Sequence, residues 1–125
     1  MRDILFRGKR IDNGEWVKGS YIYVHKGNWD GTSSHLISNL YGTEKSQILP
    51  ETLSQFTGLS DKNCKRIFEG DILKDGYGNI KVVVYTNTRF ILRNKDNHKC
   101  SSWQYADKHE IVGNIHDNPE LLKGE

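Results

Sequence analysis

The chain contains few of the residues that define the specialised classes of small protein. Only two of its 125 residues are proline and only two are cysteine. Cys64 and Cys100 lie far apart, and structural disulfides are rare in cytosolic chains, so none is expected. No apolar run approaches the roughly 20 residues that cross a bilayer, and Arg7 interrupts the first apolar residues too early for a signal peptide. These absences favour a cytoplasmic protein without a membrane partner.

Charge of one sign is also scarce. The chain has 18 basic and 16 acidic side chains, a net charge of +2, which is too small to direct the whole protein strongly toward nucleic acid. Aromatic residues are present in number, with three Trp, six Tyr and four Phe. Such side chains bury large apolar areas, so the composition argues against disorder and indicates one globular domain or two small units sharing a core.

The scarcity of proline, the twelve glycines and the short alternating apolar runs predict strands joined by tight turns. Residues 4–9 and 16–24 form the first predicted hairpin, with a type I′ turn at Asn13 and Gly14. The second run is long for one strand, and Gly19 therefore predicts a bulge or a sharp bend.

A helix of about two turns is predicted from Pro50, with Leu53 and Phe56 on one face and Gly58 at its end. A second short helical turn is predicted at Pro119, capped by Asn118. The chain is accordingly divided into an N-terminal β unit, residues 1–49, and a C-terminal unit, residues 50–125. The latter is a short helix followed by a barrel-like sheet, and the two units form one compact domain.

A second hairpin is predicted over residues 80–93, with one clearly apolar face. Its other side is apolar too, because it carries Val83, Tyr85 and Ile91. Two interpretations stay open for this side. Either the rest of the chain covers it, or it forms an interface with another subunit.

Residues 55–73 read Gln-Phe-Thr-Gly-Leu-Ser-Asp-Lys-Asn-Cys-Lys-Arg-Ile-Phe-Glu-Gly-Asp-Ile-Leu. This stretch resembles the YopX family of phage and prophage proteins at nearly every position. Residues 4–8 resemble the opening strand of that family, and residues 112–122 resemble its closing motif. One departure is Cys64, where the family usually has glycine. If that position requires a positive φ, either Cys64 is strained or Asn63 takes the left-handed conformation.

The resemblance implies a mostly β protein of phage or prophage origin in the bacterial cytoplasm. The expected YopX-like fold is an N-terminal hairpin unit packed on a small SH3-like barrel or sheet. The resemblance brings no catalytic mechanism and no cofactor, so the function has to be inferred from the residues.

The polar and glycine residues of the motif have two interpretations. They could form a ligand or metal pocket in which Glu69 and Asp71 are paired acids on one strand face. The favoured interpretation is structural, with the glycines and Asn63 setting turns and Asp61 and Asp71 accepting backbone N–H groups. The full set is Thr57, Gly58, Asp61, Asn63, Glu69, Gly70 and Asp71.

No metal-ligand spacing, nucleophile motif or phosphate-binding loop is present, so neither a metal, a cofactor nor a catalytic residue is predicted. The leading hypothesis is a non-enzymatic protein-interaction or self-assembling β module that forms a homo-oligomer. The alternative is a β protein that binds single-stranded nucleic acid, with Arg93 and Trp103 as contacts. A third hypothesis is a small enzyme using Glu69 and Asp71.

Overall fold

The computed structural model describes residues 4–27, 29–39, 41–95, 100–101 and 103–123. These residues form antiparallel strands and short 3-10 helices, which confirms the mostly β prediction. The chain divides into two compact units, one ending at Phe56 and one beginning at Thr57. In the described residues, no helix is long and apolar enough to cross a membrane.

The first unit is one antiparallel sheet with strand order β4-β3-β2-β1-β5. Its elements are β1 (Phe6–Lys9), β2 (Trp16–Val24), β3 (Ser34–Ser38), β4 (Lys45–Gln47), a 3-10 helix (Pro50–Thr52) and the beginning of β5 (Ser54–Ser60). The end of β4 returns to β1, since Arg10 bridges Ile48 and the N–H of Leu49 donates to the carbonyl of Lys9. The residues that follow β4 therefore lie beside the end of β1.

The second unit begins within β5, at Thr57, and this strand neighbours β6. The unit also contains a five-stranded antiparallel sheet of order β10-β9-β8-β7-β11. Its core is formed by buried Ile67, Leu73, Val83, Leu92 and Ala106. Its remaining elements are β6 (Arg66–Phe68), β7 (Asp71–Lys74), β8 (Ile80–Thr86), β9 (Arg89–Asn94), β10 (Cys100–Ser101), a 3-10 helix (Trp103–Lys108), β11 (Glu110–Asn114) and a 3-10 helix (Pro119–Leu122).

The first predicted hairpin is present, with Phe6 opposite Gly19 and Lys9 opposite Trp16. Its turn is longer than the predicted type I′ turn, because the N–H of Arg10 donates to the carbonyl of Glu15. Only Gly14 in this turn has a positive φ, of 72°. The Asn13 side chain instead accepts the N–H of Glu15, which holds the longer turn without a left-handed asparagine.

Gly19 is the position at which β2 changes partner. Up to Gly19 the strand pairs with β1, and from Ser20 onward it pairs with β3. A β-carbon at Gly19 would lie 1.8 Å from the carbonyl oxygen of Ser38. The predicted bend therefore has a steric cause, since only glycine lets the two backbones approach this closely.

The two-turn helix predicted from Pro50 is wrong. The helical segment ends at Thr52, whose hydroxyl accepts the N–H of Lys9 and donates to the carbonyl of Leu49. Ser54 and Phe56 are then buried on alternate positions of β5. Burial at every second residue is typical of a strand. The spacing of three residues between Leu53 and Phe56, which had favoured a helix, was therefore misleading.

Residues 50–56 consequently lie with the first unit, although the sequence had placed the division between positions 49 and 50. Ser54 and Gln55 pair with β1, and the N–H of Phe56 donates to the carbonyl of Leu5. Near the other terminus, Asn118 precedes the predicted helical turn but makes no side-chain cap. Its carboxamide oxygen accepts the N–H of Asn114 instead, because that group at the end of β11 needs an acceptor.

Candidate interaction surface

The carboxylate of Asp61 joins the motif turn to a strand fifty residues away. Its Oδ1 accepts the N–H groups of Asn63 and Lys65, each at 2.9 Å, and its Oδ2 accepts the N–H of Ile111 at 3.0 Å. The side chain is only 5% exposed. Burial by itself raises the pKa of Asp61, but the N–H groups of Ile111, Lys65 and Asn63 outweigh burial and hold the pKa below its ordinary value.

Asp71 and Gly70 form a second backbone corner. Asp71 is 2% exposed, and its Oδ2 accepts the N–H of Phe68 at 2.8 Å. Gly70 has a φ of 86°, donates to the carbonyl of Val83 and accepts the N–H of Ile115. Glu69, which directly precedes Gly70, is half-buried. The position of Asp71 is set by its own turn, which is the structural role that the sequence favoured.

The remaining motif residues also hold backbone. The Thr57 hydroxyl donates to the carbonyl of Ile67 at 2.8 Å and accepts the N–H of Leu59. Gly58 lies within β5 with a φ of 93°, and Asn63 is exposed on the turn. Within the described ranges, no three His, Cys, Asp or Glu side chains are grouped closely enough to hold a metal ion.

In the hairpin of β8 and β9, the three residues predicted to share one apolar side do not share a face. Val83 lies opposite Leu92 and is 1% exposed in the core of the second unit, whereas Val84 lies opposite Ile91. Because neighbouring residues on a strand face opposite sides, Ile91 lies on the other face from Val83 and Tyr85. The three residues thus form no single patch, and Val83 is covered by the chain itself.

The two predicted nucleic-acid contacts are also separated. Trp103 packs on Phe90 at a ring-centroid distance of 6.0 Å and belongs to the core side of the sheet. Arg93 is exposed and directly follows Leu92 of the core on β9, so the two side chains face opposite sides of the sheet. It lines a small depression of about 110 Å³ with Val82 and Leu122. Arg93 and Trp103 therefore lie on opposite faces of the five-stranded sheet.

A continuous row of rings crosses one face of the first unit, and we call it the ring stripe. Neighbouring centroids are 4.9–6.0 Å apart, and the phenol hydroxyls of Tyr21 and Tyr23 lie within hydrogen-bond distance of His35 Nδ1 and His25 Nδ1. Tyr23 is 49% exposed and His25 is exposed. In order along the face, the ring stripe is His25, Tyr23, His35, Tyr21 and Phe6.

The loop between β2 and β3 carries Trp29, whose side chain is 98% exposed. Part of this loop is braced by polar bonds, since Asp30 accepts both the N–H and the hydroxyl of Thr32. A tryptophan held in water exposes a large apolar surface that folding could have buried. We call Trp29 and the ring stripe, taken together, the candidate interaction surface.

A family profile described as YopX protein matches residues 5–123, nearly the whole chain. The protein belongs to the YopX family.

The crystal structure of protein EF1440 from Enterococcus faecalis resembles this YopX-family protein with a TM-score of 0.57 and 26% sequence identity. The similarity covers 98% of this chain and 100% of that one. No curated protein shows significant similarity to the chain.

The structure of this YopX-family protein also contains a polar cluster that the sequence did not predict. The Lys81 ammonium lies 3.0 Å from His109 Nε2 and 3.6 Å from Asp75 Oδ2, and His109 Nδ1 lies 2.9 Å from the carbonyl of Tyr105. Burial lowers the pKa of His109, and the adjacent Lys81 charge acts in the same direction. These contacts join residues up to 28 positions apart in the sequence, so no local sequence pattern predicts them.

Asp75, at the edge of the same cluster, also braces its own turn. Burial by itself raises the pKa of Asp75, but hydrogen bonds from the side chain and backbone of Asn79 and from the backbone of Tyr77, with the Lys81 charge, lower it to about 2. The carboxylate therefore stays ionised, and the cluster ties the turn after β7 to the end of the 3-10 helix at residues 103–108.

Cys64 itself takes the left-handed conformation at the family's glycine position, with a φ of 65°, and Asn63 does not. Its N–H donates to the carbonyl of Asp61, and its side chain is exposed. The β-carbon of a non-glycine residue is unfavourable at this φ. The departure from the family pattern therefore stores strain in the turn.

Replacing Cys64 with glycine is expected to stabilise the protein by about 1 kcal/mol, because the β-carbon that makes the positive φ costly is removed. The measurement is urea denaturation followed by tryptophan fluorescence. Cys64→Ala is the matched control, since it removes the thiol and keeps the β-carbon. An equal gain in both variants would show that the thiol, and not the backbone conformation, is unfavourable.

Proposed function

We propose that this YopX-family protein is a non-enzymatic interaction module of phage or prophage origin that associates with copies of itself in the cytoplasm of the bacterial host. The observation that supports self-association most strongly is Trp29, a large aromatic side chain held almost entirely in water at the end of the β2–β3 hairpin. Origin and compartment rest on the family resemblance.

The chemistry of this surface suits a protein contact. Aromatic side chains are enriched in the buried centres of interfaces, where they combine large apolar area with little conformational entropy loss. The ring stripe places further rings on the same hairpin, through Tyr21 and Tyr23 of β2 and His35 of β3. Much of the Tyr23 ring is accessible, so a contact at Trp29 could extend along the strand.

Size-exclusion chromatography with light scattering tests the proposal over a range of protein concentrations. The wild-type mass is expected to rise with concentration, and Trp29→Ala is expected to weaken association about tenfold, which corresponds to 1.4 kcal/mol. Tyr77→Ala is the matched control, because Tyr77 is 94% exposed at a turn of the second unit. Its removal is expected to leave association unchanged.

A wild-type protein that stays monomeric at the highest soluble concentration, with no partner recovered from infected cells, would overturn the proposal. Equal weakening by Trp29→Ala and Tyr77→Ala would remove the first hairpin as the site of contact. Circular dichroism of each variant is expected to match the wild type, because both side chains project into solvent and their removal leaves no cavity.

Single-stranded nucleic acid is a second candidate, and the ring stripe is the observation that favours it, because unpaired bases stack on exposed aromatic rings. The expected behaviour is salt-sensitive binding of a labelled single strand that weakens in Tyr23→Ala. No binding at low salt would eliminate this candidate.

A further inference from the structure

The edge of β2 beyond Gly19 has no strand beside it in the described part of the chain. β1 pairs with β2 through residues 16–19 only, and β3 occupies the other side of residues 20–24. The neighbouring edge of β3 is covered, since Gln47 pairs with Leu36 and the N–H of Ile48 donates to the carbonyl of His35. Because Ser20, Ile22 and Val24 bond toward β3, the outward backbone groups of this segment are those of Tyr21 and Tyr23, and among the described residues no strand pairs with them.

Another edge of the protein is protected by side chains. On β11, the N–H of Ile111 is held by Asp61 Oδ2 and the N–H of Asn114 by Asn118 Oδ1. The short edge strand β4 begins with a charged residue, Lys45. Charges, short edges and blocked N–H groups are the usual means by which proteins prevent strand addition. Residues 20–24 of β2 contain no charged residue.

The residues along this edge are compatible with pairing to themselves. Residues 20–24 read Ser-Tyr-Ile-Tyr-Val, without charge or proline. Lys18 and Lys26 flank the run and limit a paired segment to these five residues, because like charges disfavour its extension. Tyrosine, isoleucine and valine are also the residue types that pack best across antiparallel strands.

We propose that β2 pairs with β2 of a second copy of this chain, antiparallel about a twofold axis at Ile22. In this register Ile22 faces Ile22 of the partner subunit, Tyr21 faces Tyr23 of the partner subunit, and Ser20 faces Val24 of the partner subunit. The inference rests on the proposed self-association and names its surface. The two ring stripes then lie side by side across the axis, through Tyr21 and Tyr23.

Each of these pairs has a physical reason to form. The twofold operation brings identical edges together, so Tyr21 and Tyr23 of the two copies satisfy one another's outward backbone groups without a second type of surface. Facing Tyr21 and Tyr23 rings form aromatic cross-strand pairs on one face of the joined sheet. Five residue pairs make a small contact, so the dimer is expected to dissociate on dilution.

Charge substitution at Ile22 tests the register, because the axis places the two copies of this residue opposite each other. Ile22→Lys is expected to weaken dimerisation at least tenfold, since two ammonium groups then face each other across the axis. Leu36→Lys is the matched control. Leu36 lies directly opposite Ile22 on β3, on the same face and half-buried like it, but one strand away from the proposed contact.

Mixing two variants gives the sharper measurement. Ile22→Lys and Ile22→Glu are each expected to be monomeric under conditions in which the wild type dimerises, whereas an equal mixture is expected to recover at least half of the dimer. Light scattering measures the mass, and mass spectrometry of the cross-linked mixture identifies the heterodimer. Far-ultraviolet circular dichroism on every sample reports whether each variant folds.

The outcomes separate this inference from the proposal on which it depends. A monomeric wild type overturns both. A wild type that self-associates while Ile22→Lys associates equally well overturns only the β2 register, as does a mixture that recovers no heterodimer from folded variants. If Ile22→Lys does not fold, Ile22→Glu and Tyr23→Lys decide the matter, because Tyr23 is on the same edge and 49% exposed.

Discussion

Gly19→Ala is expected to destabilise the protein by about 3 kcal/mol or more, because its β-carbon would overlap the carbonyl oxygen of Ser38 at 1.8 Å. The obstacle is backbone and not a flexible side chain, so relief requires β2 and β3 to separate. These strands pair directly beyond this point, from Ser20 opposite Ser38 onward. Urea denaturation, followed by tryptophan fluorescence and by circular dichroism, measures the loss.

Two other glycines provide controls for Gly19. Gly76→Ala is expected to be nearly neutral, because nothing lies within 4 Å of its added β-carbon. Gly14→Ala also meets no neighbour but has a φ of 72°, so about 1 kcal/mol of strain is expected. If Gly19→Ala costs no more than Gly14→Ala, the close approach of the two backbones is not the reason for glycine at this position.

Asp61→Asn is expected to destabilise the protein by about 2–4 kcal/mol. The carboxylate accepts three backbone N–H groups, and a carboxamide directs its NH₂ toward at least one of them, leaving buried donors without an acceptor. Chemical denaturation at neutral pH is the measurement. Asp30→Asn is the matched control, because Asp30 makes a similar turn with Thr32 but is exposed, and we expect it to cost under about 1 kcal/mol.

The same substitution has an expected pH dependence. The pKa of Asp61 is lower in the folded protein than its ordinary value of 3.8, so the unfolded chain binds more protons as the pH falls. The contribution is fully present above about pH 4 and is lost as the pH falls through the lowered pKa. The stability difference between wild type and Asp61→Asn should therefore shrink below pH 4. A difference that stays constant down to pH 2 would contradict the role of the ionised carboxylate.

Local chemistry explains why much of the fold was predictable from the sequence. The alternation of residues 4–9 and 16–24 predicted the first hairpin, and the glycine at position 19 predicted its bend. Asp61 and Asp71 were also expected to accept backbone N–H groups, because aspartate commonly does so within a few residues of itself in a turn. The Asn63 and Lys65 contacts of Asp61 and the Phe68 contact of Asp71 are such local bonds.

The predictions that were wrong involve contacts between distant residues. The helix expected at Pro50 gave way to β5, because the edge of β1 supplies backbone partners to residues 54–56. The face of the second hairpin was misassigned because Val82, Val83 and Val84 are all apolar and only tertiary packing decides which one is buried. Similarly, Arg93 and Trp103 are separated by the sheet, which their positions in the sequence do not reveal.

The candidate interaction surface shows the same division. Tyr23 is visible in the sequence as an aromatic residue, but aromatic residues on strands are usually buried, so its exposure had to come from the structure. The row of rings depends on the pairing of Tyr23 with His35 across two strands. In the described part of the chain, the edge of β2 beyond Gly19 has no strand beside it because β1 pairs with β2 only up to that residue.

From its residues alone, this chain specifies strands, turns and family, since alternation, glycine positions and aspartate turns act over a few neighbouring residues. Tertiary structure alone decides which face of each strand is buried, that Asp61 reaches Ile111, and that Lys81 meets His109. The physical reason is that burial and hydrogen bonding across tens of residues depend on which strands lie side by side. The spacing of neighbouring residues in the sequence does not predict which strands lie side by side.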